Sequence, residues 1–282
     1  MINTIAVVGA GTMGSGIALA AALKYYPVVL CDINDAIMQQ AKQSIEKNLA
    51  FLLSKQKITP EAANEIRSCI RYSAEIADCK ADIVIEAVVE KLEVKTLIFK
   101  ELAAINGTDC ILASNTSSLS IAAIQQNIER PQRVLGMHFF NPAQVMKLVE
   151  VVKTDITDSD VADAVIELCK KLDKTPVLCK DAPGFIVNRV ARHFYLEAMK
   201  LVEEGIATKE QVDAAIENAG FKMGPFKLMD LIGMDVNLAV STSLYEAFNK
   251  AIRFKPSALQ IEKVNKGELG KKTGKGFYEY QL

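Results

Sequence analysis

The chain has 282 residues, half of them apolar, with 33 lysines and arginines against 34 aspartates and glutamates and a formal net charge of −1. That balance gives no global field drawing it to nucleic acid or anionic lipid, and the length leaves room for two domains. The six cysteines (Cys31, Cys69, Cys79, Cys110, Cys169, Cys179) form no C-x-x-C pair, so they read as buried free thiols of a reducing compartment and imply no metal site.

The first element expected is a strand at Ile5-Ala6-Val7-Val8, with no charged-then-apolar leader before it and no apolar run of the roughly 18 residues that would span a bilayer. A cytoplasmic location without membrane contact is the expectation. Next come Gly9-Ala10-Gly11-Thr12-Met13-Gly14 and an alanine-rich helical stretch, Ser15 to Lys24. Strand, tight turn and helix give the glycine spacing a mechanical reason. Gly9 makes the turn, Gly11 lets backbone approach a pyrophosphate, and Gly14 packs helix on strand, with the helix N-terminus facing the phosphates. A second apolar run, Val28 to Cys31, ends in Asp32, eighteen residues beyond Gly14 and close to the ~20 expected of the acid that binds ribose hydroxyls. A carboxylate there repels a 2′-phosphate, so the cofactor reads as NAD in preference to NADP.

A long amphipathic stretch from Asp35 to about Ser54, then Thr59 and Pro60 as cap and first-turn residues, predicts an inserted helical hairpin. Further strands are expected at Asp82–Glu86, Cys110–Ala113, Val134–Met137, Leu148–Val152 and Pro176–Cys179, with helices over Lys95–Ala104 and Ser159–Leu172. The alternation predicts an α/β fold, a Rossmann-like, doubly wound and largely parallel sheet. Past Asp181-Ala182-Pro183-Gly184 the pattern turns helical: Phe185–Glu203, Lys209–Asn218, Met234–Lys250 and Pro256–Lys266. The division expected is a nucleotide-binding domain over 1–184 and an all-helical domain over 185–282. The helical half carries more apolar surface than it need bury alone, which points to a homodimer.

One of only two histidines, His138, sits at a strand-to-loop junction in Gly136-Met137-His138-Phe139-Phe140-Asn141-Pro142, and Glu150 interrupts the next apolar run. Doubly wound sheets hold their ligands beyond the carboxyl ends of the strands, so His138 is a candidate general base; a satisfied structural histidine is the alternative. A carboxylate within an apolar run is costly unless paired, and pairing with His138 would resolve that cost. His193, amid apolar neighbours on a helix, reads as structural.

These motifs, together with Ile85 to Glu90, Ser114-Asn115-Thr116-Ser117-Ser118-Leu119, Asp181 to Asn188, Gly224-Pro225-Phe226, Asp230 to Gly233 and Lys272 to Tyr278, run through nearly the whole chain. In them the sequence resembles the L-3-hydroxyacyl-CoA dehydrogenase family, most of all its bacterial 3-hydroxybutyryl-CoA branch. The resemblance implies an NAD-dependent oxidoreductase acting on a short-chain 3-hydroxyacyl-CoA, with longer, dicarboxylic or free 3-hydroxy acids as alternatives within the class. A non-catalytic dinucleotide binder is the alternative outside it. His138 would be the base and Glu150 its partner, while Ser117 and Asn188 would contact the substrate oxygen, in a site closing between the domains. Glu90, Lys95, Asn115, Ser117, Asn141 and Lys272 would join Gly9, Gly11, Thr12, Met13, Gly14 and Asp32 around the cofactor. Asn48 and Lys55 on the hairpin would meet the acyl-CoA. One departure concerns the turn after the first helix, where relatives usually carry a glycine and this chain has Tyr25-Tyr26-Pro27; that turn is expected to close differently.

Overall fold

The computed structural model describes residues 2–126 and 128–281. The chain divides into two compact units, Met1–Ala182 and Pro183–Leu282.

The first unit runs β1 (Ile5–Val8), α1 (Thr12–Ala22), β2 (Val28–Cys31), α2 (Asp35–Ser54), α3 (Pro60–Ser68), β3 (Ile70–Ser73), β4 (Ile83–Glu86), α4 (Leu92–Ile105), β5 (Ile111–Ser114), α5 (Ile121–Gln125), β6 (Val134–Phe139), β7 (Leu148–Lys153), α6 (Ser159–Lys171) and β8 (Thr175–Lys180). The sheet order is β3-β2-β1-β4-β5-β6-β7-β8. Every ladder is parallel except β6 with β7. β1, β4 and β5 are buried at every residue, as a sheet covered on both faces requires. Ile5, Val7, Ile17, Leu30, Ile85 and Leu135 belong to the resulting core. The strand order reverses between β1 and β4, and the glycine-rich turn sits at that switch point.

The helical hairpin forms as its caps predict. Asn34 accepts the amides of Ala36 and Ile37 at the start of α2, and Thr59 accepts that of Ala62 ahead of α3. The strand β3 was not visible in the sequence, because Arg71 and Tyr72 break its apolar run and it lies at the sheet edge.

The turn after α1 corrects the expectation that it must close differently. Tyr25 itself takes the left-handed conformation (φ 61°). Tyr26 N–H donates to Ala21 O and Tyr25 N–H to Ala22 O, the paired bonds of a Schellman closure. Tyrosine thus occupies a position that glycine would fill without strain.

The second unit comprises α7 (Val187–Glu203), α8 (Lys209–Asn218), α9 (Pro225–Ile232), α10 (Met234–Ala247) and α11 (Ala258–Asn265). Tyr195, Met199, Phe226, Met229, Met234 and Phe277 pack its core. Two buried aspartates explain the glycine- and aromatic-rich motifs of this half. Asp213 accepts the Phe226 and Lys227 amides at the start of α9 and the Tyr278 hydroxyl. Asp230 accepts the Phe277 and Tyr278 amides and the Tyr280 hydroxyl. A Cβ on Gly276 would lie 2.1 Å from the Asp230 carboxylate, so only glycine passes there. Gly224-Pro225-Phe226 and the C-terminal aromatic run are therefore fold-forming. Among the described residues no helix is long and apolar enough to cross a membrane.

Candidate active site

β6 and β7 set the register of the central pair. His138 lies directly opposite Glu150 in the antiparallel ladder, so their side chains share a face. Nδ1 of His138 is 2.7 Å from Oε2 of Glu150, and both residues are buried. Glu150 can only accept there, so it holds the imidazole in its Nδ1–H tautomer. The Phe140 ring leans on the imidazole at 4.5 Å between centroids. Asn115 steadies the same strand end, its Oδ1 accepting the Phe139 amide at 2.9 Å.

Beside this strand end, the loop after β5 is clamped by carboxylates. Oε1 of Glu90 accepts the Thr116 hydroxyl (2.6 Å), the amides of Ser117 (3.0 Å) and Ser118 (3.2 Å), and the Ser118 hydroxyl (3.0 Å). Burial pushes the Glu90 carboxyl up, but Lys95, the Thr116 hydroxyl and the Ser117 amide outweigh it and leave it below its ordinary value. Lys95 is fully buried, with Nζ 2.6 Å from Oε1 of Glu86 and 3.2 Å from Oε2 of Glu90. Glu86, at the end of β4, also accepts the Val88 amide and the Ser114 hydroxyl. Glu86, Lys95 and Glu90 thus form one chain of charges that fixes where Ser117 stands. Glu90 and Lys95, expected around the cofactor, bond within this group together with Glu86, which the sequence does not single out. Its signal was a carboxylate closing a strand that is otherwise wholly apolar. Ser120 caps α5, accepting the Ala123 amide.

The glycine-rich turn fits a dinucleotide. Gly9 has φ 97° and a Cβ on it would lie 2.6 Å from Ala87 O, while a Cβ on Gly14 would collide with Gly9 O. Gly11 faces open space, with nothing within 4 Å of its Cβ position. Among the described residues no side chain caps the start of α1, so the first-turn amides, with Thr12 and Met13, present a positive helix end to an anion. Asp32, at the tip of β2, accepts the Ala10 amide through Oδ2 and the Asn34 amide through Oδ1, which holds it against the turn.

The remaining predicted residues are dispersed. Asn141 is exposed on the loop after β6. Asn48, on α2, accepts from the Gln144 side chain and donates to Ser44 O, which ties the hairpin to that loop. Lys55 is exposed, its ammonium 5.8 Å from the Phe51 ring. Asn188 lies in the first turn of α7. Lys272 pairs with Asp235 at 2.6 Å in the second unit. His193 packs on Phe254, the structural role expected of it. Of the cysteines, Cys31, Cys79 and Cys169 are buried and the other three only half-buried, which corrects the expectation that all six are buried. A cavity of about 180 Å³ lies at the opposite end of β5 and β6, lined by Asn106, Cys110, Arg130 and Arg133, away from His138.

A dinucleotide-binding sheet with an imidazole–carboxylate pair at its strand ends defines an NAD-linked dehydrogenase. Family models described as the 3-hydroxyacyl-CoA dehydrogenase NAD binding domain and C-terminal domain match residues 4–182 and 184–280. The chain belongs to the NAD-dependent 3-hydroxyacyl-CoA dehydrogenase family. It is 46% identical to 3-hydroxyadipyl-CoA dehydrogenase of Escherichia coli over 99% of its own length, and spans 59% of that protein. It is 40% identical to 3-hydroxybutyryl-CoA dehydrogenase of Clostridioides difficile, covering 98% of this chain and 99% of the other. The crystal structure of (S)-3-hydroxybutyryl-CoA dehydrogenase from Ralstonia eutropha superposes with a TM-score of 0.94 at 40% identity, with both chains covered in full.

Proposed function

We propose that this protein catalyses the reversible NAD-linked interconversion of a short-chain (S)-3-hydroxyacyl-CoA and its 3-oxo counterpart, with 3-hydroxybutyryl-CoA and acetoacetyl-CoA as the pair on which to test it. The observation that carries the reading is the buried His138–Glu150 pair at the carboxyl end of β6. Bound NAD supplies the hydride acceptor. His138 takes the hydroxyl proton at Nε2 during oxidation and returns it during reduction, a task suited to an imidazole, whose ring nitrogen can accept a proton and give it back. Glu150 holds the ring tautomer and stabilises the imidazolium that forms. Ser117 and Asn188 hydrogen-bond the substrate oxygen; a neutral hydroxyl and amide do this without competing for the proton.

Around the cofactor, Gly9, Gly11, Thr12, Met13 and Gly14 meet the pyrophosphate and Asp32 the ribose. Glu90, Lys95, Asn115, Asn141 and Lys272 complete the cofactor surroundings, and Glu90 acts by fixing the Ser117 loop. Asn48 and Lys55 meet the acyl-CoA, with Lys55 a point charge for phosphate. The domains are taken as 1–184 for the cofactor and 185–282 for substrate contact and dimerisation. Val190, Leu231, Val236 and Ile252 are exposed apolar residues of the second unit, and they support a homodimer. A light-scattering mass equal to one subunit would remove that last element. A six-carbon dicarboxylic substrate is the second reading, favoured by Arg192 on α7, a buried cation whose Nε has no hydrogen-bond partner among the described residues.

The test is the loss of NADH absorbance on adding acetoacetyl-CoA, with free acetoacetate as control. Turnover of the free acid alone overturns the CoA assignment. His138→Ala is expected to lower turnover about 10²- to 10⁴-fold while NADH still binds.

A further inference from the structure

The second unit holds a cation that its own fold does not neutralise. Arg192, on α7, is 2% exposed, and among the described residues no carboxylate pairs with it. Burial disfavours its charged form, with the Tyr195 hydroxyl opposing. Its bonds are lopsided. Nη1 donates to Asn237 O (2.8 Å), Asn237 Oδ1 (3.0 Å) and Ser241 Oγ (2.8 Å), all on α10. Gln260 of α11 binds the same Asn237 and Ser241 oxygens and locks them in place. Among the described residues Nε is buried without a hydrogen-bond partner, and the bonds of the guanidinium all leave from Nη1. Tyr195 covers the guanidinium at 5.2 Å from its ring centroid.

Nε and Nη2 form one edge of the guanidinium, the edge that grips a carboxylate with two parallel bonds. Three neutral acceptors hold the other end and fix that edge in direction. A buried cation with an empty fork is costly unless something anionic meets it, so each such group needs a physical reason.

Arg192 also stands four residues after Asn188, on the same face of α7 and about 6 Å further along the axis. In a six-carbon dicarboxylic acyl chain, three carbon–carbon bonds of about 1.5 Å separate carbon 3 from the terminal carboxyl carbon. With their oxygens included, the two groups are about 6 Å apart. The rise along the helix is of the same order as the span of the substrate.

We infer that Arg192 is a specificity-determining residue whose Nε–Nη2 edge receives the terminal carboxylate of a dicarboxylic 3-hydroxyacyl-CoA while Asn188 holds the 3-oxygen. This rests on the dehydrogenase reading above and narrows its substrate class. A monocarboxylic chain of the same length leaves the fork unfilled, so the discrimination lies in the substrate's charge rather than its size.

The experiment compares kcat/KM of the purified full chain, with NADH, for 3-oxoadipyl-CoA and 3-oxohexanoyl-CoA, which have equal carbon number and differ in the terminal carboxylate. The wild type is expected to favour 3-oxoadipyl-CoA by about tenfold or more, and Arg192→Met to reduce that ratio by about ten- to a hundredfold. Arg192→Lys should keep part of the preference as a point charge. Should the methionine variant not fold, the terminal methyl ester of 3-oxoadipyl-CoA decides with the wild type: loss of the preference on esterification supports the assignment. Equal use of acid, ester and 3-oxohexanoyl-CoA by the wild type overturns it, as does an Arg192→Met variant that lowers both substrates in parallel. A wild type inert toward every one of these CoA esters overturns the dehydrogenase reading and this one with it.

Discussion

Replacing Glu150 with glutamine tests the central pair without changing its volume. The wild-type contact is 2.7 Å, buried, and fixed by residues directly opposite in a β ladder, so the glutamine should occupy the same place. Two losses follow. A charge-assisted hydrogen bond is worth roughly 1.5–3 kcal/mol, and at about 1.4 kcal/mol per decade its loss as the imidazolium develops slows turnover about 10- to 150-fold. The amide can also turn its NH2 toward Nδ1 and favour the tautomer that carries the proton on Nε2, which blocks proton acceptance there. That second effect extends the expected loss toward 10⁴-fold. Steady-state reduction of acetoacetyl-CoA with saturating NADH gives kcat, and fluorescence titration gives NADH affinity. The expected pattern is a kcat lowered by 10² or more with NADH affinity little altered, since Glu150 touches the base rather than the cofactor in this proposal. A kcat within about threefold of wild type would show that the carboxylate does not assist the base, and would reduce the pair to a structural contact.

Lys95→Met strands Glu86 as a buried carboxylate and should cost about 3–5 kcal/mol in denaturant unfolding, with Glu86→Gln added to it recovering part of the loss; additive losses would argue against the pairing. Tyr25→Gly should stabilise by about 1 kcal/mol by relieving the left-handed strain, read as a raised Tm, and an unchanged or lowered Tm would refute that account. Glu90 has a lowered carboxyl pKa in the folded protein, so its contribution is present above the unfolded-state value near 4.3 and is lost as the pH falls through the folded one. The stability gap between wild type and Glu90→Gln should therefore be full at neutral pH and close below about pH 4; a gap independent of pH would contradict it.

The parts of this protein legible in the sequence are those governed by local rules. The glycine-rich turn, Asp32 at the tip of β2, and the caps at Asn34 and Thr59 follow from backbone conformations that few residues satisfy. The pairing of His138 with Glu150 could be argued from the cost of a carboxylate in an apolar run, although twelve residues separate them. What stayed hidden depends on tertiary contact. Glu86 reads as an ordinary strand-end charge and Lys95 as a residue expected at the cofactor, and only the fold buries them together. Lys272 carries no local sign that Asp235 will meet it. Arg192 resembles any arginine on an amphipathic helix until α10 and α11 close over one end of its guanidinium.

The antiparallel ladder of β6 with β7 has a chemical consequence. A parallel neighbour for β6 would be reached by a crossover, with its register set by distant packing, whereas β7 returns from β6 directly through the loop 140–147. That loop is tied down: the buried Lys174 ammonium donates to the carbonyls of Ala143 and Met146, and Gln144 bonds Asn48 on α2. Side chains alternate along a strand, so a slip of one residue would send Glu150 to the other face of the sheet and leave His138 opposite a valine. Lys174 and Gln144 lie on the loop and its anchor, yet by fixing the register they determine whether the imidazole has a carboxylate at all. Substitutions there should act on kcat through the His138–Glu150 distance, and the same substitutions combined with Glu150→Gln should show little further loss.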